Sequence, residues 1–389
     1  MMASGRSMLL TVSGAGCGAH PAAWRVGGAP RAPSLAWFRK LTLQAERAGL
    51  DAILFGSSPW GPAVAASGQA GTFELDAMPL IAALAADGEQ IGLGASVPVD
   101  HAEPFNIARS FAGADRLTAG RTAWIADVRE KTYRPGDFAH AEARDVSARY
   151  ARALECISVV RKLWDSWEDE AIVLDKPAGL FTDPARVHRI THRGEYFSVR
   201  GPLNAPRPLQ GHPVIVQSDH SREGLALAAV TADVFLATVT APDQLAGLRD
   251  ALGARPLLLA TIVPLLARTQ AEADTRAAVL DGMVTGPLAA ALLADAGRTG
   301  EAPQLAWSLG GIPFIGTPAA LAARLADLFA GGLCDGFHIA PAVLPLDLEL
   351  FATDVIPELR ARSLRPAVAV GRTLREHLHL PRPRSQFAA

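Results

Sequence analysis

The chain has 389 residues, 49% of them hydrophobic and 20% charged, with 37 Lys+Arg against 39 Asp+Glu for a formal net charge of -2. That balance excludes wholesale disorder and supplies no basic field for nucleic acid or an anionic membrane, while leaving ample apolar material for a large core. Three cysteines, Cys17, Cys156 and Cys334, stand far apart with no CxxC pair, which fits reduced thiols in a cytoplasmic protein rather than a disulfide framework or a structural zinc site.

The first expected strand is Met8 to Ser13. Its apolar run before Gly14-Ala15-Gly16-Cys17 is about five residues, shorter than the roughly 7 to 15 of a signal-peptide core. Further strands are expected at Ala52 to Gly56, Ile91 to Val97, Thr122 to Val128, Val214 to Gln217, Val234 to Thr238, Leu257 to Val263 and Gly336 to Ala340. Helical period marks Ser34 to Ala48, Asp76 to Ala86, Pro104 to Leu117, Val146 to Trp167, Ser221 to Thr231, Pro242 to Leu252, Gln270 to Met283, Pro318 to Ala330 and Leu346 to Arg362. Eight strands each followed by a helix predict an α/β fold, a TIM (β/α)8 barrel in one domain spanning 1–389. No run of about 18 apolar residues is present, so no transmembrane helix is expected.

Two gaps exceed ordinary connections and read as insertions, about 167–213 and 284–315. The first suggests a hairpin of Val187 to Ile190 with Glu195 to Val199 around Arg193-Gly194, and the second is Ala/Gly-rich with helical patches. A tail, 363–389, carries Pro366, Pro381 and Pro383 and is expected to wrap the outside or reach a partner subunit.

Specific strings run nearly the whole length: Ala23-Trp24-Arg25, Pro104-Phe105-Asn106-Ile107-Ala108-Arg109, Asp115-Arg116-Leu117 with Gly120-Arg121, Leu163-Trp164-Asp165-Ser166-Trp167-Glu168-Asp169, Gly201-Pro202-Leu203, Asp335-Gly336-Phe337 and Val355-Ile356-Pro357-Glu358-Leu359. With these strings the chain resembles the luciferase-like flavin monooxygenases, in the subfamily of nitrilotriacetate, dibenzothiophene sulfone, pristinamycin-pathway and long-chain alkane monooxygenases. The resemblance implies reduced FMN supplied by a separate flavin reductase, O₂ and a small organic substrate at the C-terminal mouth of the barrel, and a homodimer or homotetramer. The deazaflavin F420 is the alternative cofactor, since related barrels employ it.

For the flavin phosphate, the resemblance points to Gln217, Ser218, His220, Ser221, Arg222 and Gly224 at the start of a helix, where free N–H groups and the dipole favour an anion. Ser221 read alone is simply a helix cap. The family glycine of this turn is Asp219 here and the family arginine is Leu225. For the isoalloxazine, the resemblance leaves Ser96 and Trp124, while a family Asn is Ile125 and a family Thr is Val128; Gly56-Ser57 and Pro98-Val99-Asp100 also depart from its pattern. His20 and Tyr150 are the expected catalytic residues, a donor to an oxygen and a phenol near the phosphate or substrate. These departures leave a second reading open, a non-catalytic relative that binds a small ligand or a partner subunit. His188 and His192, four apart, sit among cations that oppose a metal, and no metal is expected. Trp164, Trp167, Glu168, Asp169 and Glu170 read as a scaffold at a helix end.

Overall fold

Eight short apolar runs pair in parallel and close on themselves. A computed structural model describes residues 7–29, 32–56, 60–71, 75–99, 102–126, 128, 145–296, 301–366 and 371–387. The barrel strands are β1 (Leu9–Ser13), β2 (Ala52–Phe55), β3 (Gly92–Ser96), β4 (Thr122–Ile125), β5 (Val214–Gln217), β6 (Val234–Ala237), β7 (Leu257–Leu266) and β8 (Gly336–Ile339). Each pairs with its neighbour in order, β8 pairs with β1 through Leu9↔Gly336, and the register Val234↔Leu257 joins β6 to β7. The expected (β/α)8 barrel is therefore present, with each strand within a few residues of its predicted bounds. Among the described residues, no single helix is long and apolar enough to cross a membrane.

Strand alternation sorts the side chains into two layers. Leu9, Leu54, Ile125, Val216, Leu236 and Leu259 fill the lumen, while Leu10, Ile53, Leu93, Trp124, Ile215 and Phe235 meet the surrounding helices. The helices begin where short polar side chains cap them. Ser34 accepts from the Trp37 amide at 3.3 Å, Asp145 from Ala148 at 2.7 Å, and Thr269 forms a capping box with Glu272. The helical run expected from Leu346 to Arg362 contains a π-turn at Phe351–Val355, just before Pro357, whose missing N–H cannot return to the preceding turn.

The first insertion folds differently from expectation. One hairpin pairs Ile172–Asp175 with Leu180–Thr182, which the sequence reading lacked, and a second pairs His192–Arg193 with Ser198–Val199. Val187 instead bridges Trp167, so the predicted arm Val187 to Ile190 is not part of that hairpin. In the second insertion, helices Gly286–Ala296 and Ala302–Ser308 precede an edge strand, Ile312–Gly316, paired with the second half of β7. The three cysteines are buried and none is in a disulfide.

The tail does not simply wrap the outside. Its capped turn, Leu374–His377, places Leu374 and Leu378 against the lumen cluster at the N-terminal end of the barrel, where they act as a plug. Gly92 makes room for it: an added Cβ would lie 2.6 Å from Leu374 Cδ1 and 3.0 Å from both the Ala52 Cβ and the Asp51 carbonyl oxygen. Gly92→Ala is expected to cost about 1–3 kcal/mol through overpacking, read by urea denaturation, and Leu374→Ala in the same chain should recover part of that loss. A loss equal in the single and double variants would refute the plug.

Candidate active site

β5 ends at Gln217 and turns through Ser218, Asp219 and His220 into the helix Arg222–Thr231. Ser221, extended at φ −63 and ψ 158, caps that helix, and its Oγ accepts from the Gly224 amide at 3.0 Å. Asp219 folds back across the same turn. Its Oδ1 accepts from the Ser221 amide at 3.0 Å and its Oδ2 accepts from the Tyr150 hydroxyl. Tyr150 Oη also lies 3.0 Å from Ser221 Oγ. A Cβ on Gly224 would sit 2.6 Å from Asp219 Cγ, so the residue must be glycine for the carboxylate to lie there.

A carboxylate thus occupies the electropositive helix end, where an anion is favoured by both dipole and N–H groups. Burial and then the Asp219 carboxylate raise the Tyr150 phenol well above its ordinary range, keeping it a protonated donor. Behind this turn, Ala126, Val128, Tyr150, Gln217 and Leu227 enclose a cavity of about 10 Å³, room for roughly one water. A phosphate group does not fit with Asp219 in this position. Gln217 is buried, with its Oε1 accepting from Thr231 Oγ1 at 3.3 Å and its Nε2 without a partner among the described residues.

The other expected phosphate ligands are placed less favourably. His220 Nε2 accepts from the Thr238 amide at 2.9 Å and its ring packs against Phe235, so it ties β5 to the end of β6 as a neutral acceptor. The Arg222 side chain is exposed on the first turn, and Ser218 is half-buried at the strand end. Across the mouth, half-buried Ser96 closes β3, with its Cβ 3.1 Å from where a Gly56 Cβ would stand.

Trp124 is a correction. It lies on the outward face of β4, fully buried between Phe111 and Trp164, and its Nε1 donates to the Val97 carbonyl at 2.9 Å. Alternation along β4 puts its neighbours Ala123 and Ile125 into the lumen and the indole into the helical layer, facing away from the lumen. Ser57, Asp100, Asp127 and Arg129 lie outside the described residues.

His20 sits in the loop after β1, four strands from β5 in either direction around the barrel. It is 1% exposed, and its Nδ1 accepts from the Ala22 amide at 3.2 Å, which leaves the proton on Nε2. That Nε2 has no partner among the described residues, and the ring packs on Trp307 at 4.6 Å. Burial lowers its pKa to about 3. His20 is therefore a neutral donor packed on Trp307, a member of the apolar cluster that also holds Cys17, Val263 and Ala340. His20 and Tyr150 are not brought together; they belong to opposite sides of the mouth.

Sequence reasoning missed His338. It projects into the lumen from β8, beside Thr11 and Thr261 in the strand register, and its Nδ1 lies 2.9 Å from Thr11 Oγ1. Burial lowers its pKa to about 4, and the Thr261 hydroxyl has no partner among the described residues. Alternation from Gly336 through His338 was the available signal. The Nε2 atoms of His188 and His192 lie 2.7 Å from Glu168 Oε1 and 2.9 Å from Glu155 Oε1.

The family model described as luciferase-like monooxygenase matches residues 17–335. The chain belongs to the luciferase-like monooxygenases. Over the full length of both chains it is 32% identical to N-acetyl-S-(2-succino)cysteine monooxygenase of Bacillus subtilis (strain 168). It is 32% identical to nitrilotriacetate monooxygenase component A of Aminobacter aminovorans, covering 95% of this chain and 96% of that protein. The solved EDTA monooxygenase from Chelativorans sp. BNC1 superposes with a TM-score of 0.80 at 28% identity, covering 97% of this chain and 99% of that one. As a luciferase-like monooxygenase, the chain is a flavin-dependent oxygenase in class, and the mouth described above is where such a barrel carries its site.

Proposed function

We propose that this protein is the oxygenase component of a two-component system, which takes reduced flavin from a separate reductase and inserts one atom of O₂ into a small organic molecule. The observation that supports this most is the end-to-end likeness to relatives that are themselves named monooxygenases, one of them a component A. The apolar cluster beside His20 favours an uncharged substrate, with the buried His20 Nε2–H as a donor for an oxygen atom. A homodimer or homotetramer in the cytoplasm is part of the same proposal.

The test is a fluorescence titration with FMN, riboflavin and F420, followed by oxygen uptake with a generic flavin reductase and a panel of sulfides, sulfones and alkanes. Flavin binding with substrate-dependent oxygen uptake is expected, and His20→Gln should reduce the uptake by about 10²-fold. Exclusive binding of F420 would replace the cofactor assignment. Folded protein that binds no flavin at hundreds of micromolar would favour the second reading, a barrel that binds a ligand or partner without catalysis, which the Asp219 carboxylate at the helix end supports.

A further inference from the structure

The anion seat at the start of helix Arg222–Thr231 is built and filled from within the chain. Asp219 takes the Ser221 amide and the Tyr150 hydroxyl, and Ser221 Oγ takes the Gly224 amide, so these three donors of the turn are engaged within the chain and a carboxylate already stands at the helix end. A second observation at the same turn is independent of the helix end. Gln217 is 5% exposed, lines the cavity beside Asp219, and leaves its Nε2 donor unmatched. A buried amide hydrogen without an acceptor is costly and marks a place for an uncharged acceptor oxygen.

We propose that Asp219 is a specificity-determining residue that stands in for a ligand phosphate, so that the mouth selects a flavin whose ribityl chain ends in a neutral hydroxyl over one that ends in phosphate. The inference rests on the flavin-dependent reading above. Its physical basis is direct. A phosphate brought to this seat would meet a carboxylate of the same sign at close range in a half-buried setting, where such repulsion is weakly screened. It would also have to displace Asp219 from both of its donors. A hydroxyl terminus carries no charge, can donate to Asp219, and can accept from Gln217 Nε2. His220 does not offset the carboxylate, because its Nε2 is already an acceptor for the Thr238 amide.

The experiment compares riboflavin and FMN by flavin fluorescence quenching with the full-length wild type, Asp219→Gly and Asp219→Asn, with circular dichroism to establish that each is folded. The wild type is expected to bind riboflavin at least ten-fold more tightly than FMN. Asp219→Gly should raise FMN affinity at least ten-fold and leave riboflavin affinity unchanged or weakened through loss of its Asp219 acceptor, reversing the preference, and inorganic phosphate should compete with FMN in that variant only. Asp219→Asn, which keeps the shape and removes the charge, should give an intermediate rise. Wild type that binds FMN as tightly as riboflavin, with the ratio unchanged in Asp219→Gly, overturns the inference and leaves the flavin-dependent function standing. Failure of all three folded proteins to bind either flavin overturns both.

Discussion

Asp165→Ala is expected to destabilise the protein by about 3–5 kcal/mol, the range for removing one partner of a buried charge network. Asp165 is fully buried at the C-terminal end of the helix Val146–Asp165, the helix that carries Tyr150 near its other end. Its Oδ1 accepts from Arg207 Nη2 at 2.9 Å and lies 2.9 Å from His212 Nε2, while its Oδ2 accepts from the Gln386 side chain at 3.1 Å. Burial opposes its ionisation, but His212 and Arg207 together hold the carboxyl below its ordinary range. Without it, the Arg207 guanidinium keeps only Asp169, at 3.1 Å, and the Pro383 carbonyl. Asp169, though half exposed and shared with Arg382, survives as a partner that keeps part of the Arg207 charge compensated, which places the expected loss toward the lower end. Two measurements check this. Urea unfolding should show the loss, and trypsin should cut after Arg384 faster, because Gln386 is anchored on the Asp165 carboxylate through its amide and its side chain. A loss below about 1 kcal/mol with unchanged proteolysis would mean that the network does not hold the tail.

The scaffold was legible because it rests on local periodicity, and the site was less so because it rests on side-chain direction. Eight apolar runs separated by helical spacing are visible without any contact information, and Asp165 and Asp169 fall in the string read as a scaffold. Ile312–Gly316 escaped because Pro313 weakens its strand signal, and the structure uses it where such a proline is tolerated, on an edge. Trp124 was misplaced for a different reason: its place in a flavin-site string outweighed the period-two alternation that turns it outward. Asp219 was visible as an unusual acid in a phosphate turn, yet the direction of its carboxylate depends on Tyr150, 69 residues away in sequence. The tail offered Leu374 and Leu378 at helical spacing behind a threonine cap, but nothing local says that the open end of a barrel lies beneath them.

Between pH 7.5 and pH 5.0 the protein is expected to lose about 3 kcal/mol of stability, chiefly through two histidines. His20 and His338 are held neutral by burial, with pKa values lowered from 6.5 to about 3 and about 4. The sign follows from proton uptake. Below pH 6.5 the unfolded chain binds protons at these sites and the folded chain does not, so stability present above 6.5 drains away as pH falls toward the folded values. At roughly 1.4 kcal/mol per pH unit, each histidine costs about 2 kcal/mol at pH 5.0. His212 and His377 are also lowered by burial and act in the same direction. Asp347 opposes them. Burial raises its carboxyl from 3.8 to about 6 despite Arg276, so protonation of the folded state recovers about 1 kcal/mol over this interval. Asp165 and Asp169, both held below 3.8, contribute their losses only at lower pH. Urea denaturation at the two pH values reads the difference directly. In His20→Gln and in His338→Gln the pH-dependent loss should shrink by about 2 kcal/mol each, whatever either substitution does to stability at pH 7.5. A loss as large in both variants as in the wild type would show that these histidines titrate in the folded protein, and would remove the basis for treating His20 as a neutral donor at the barrel mouth.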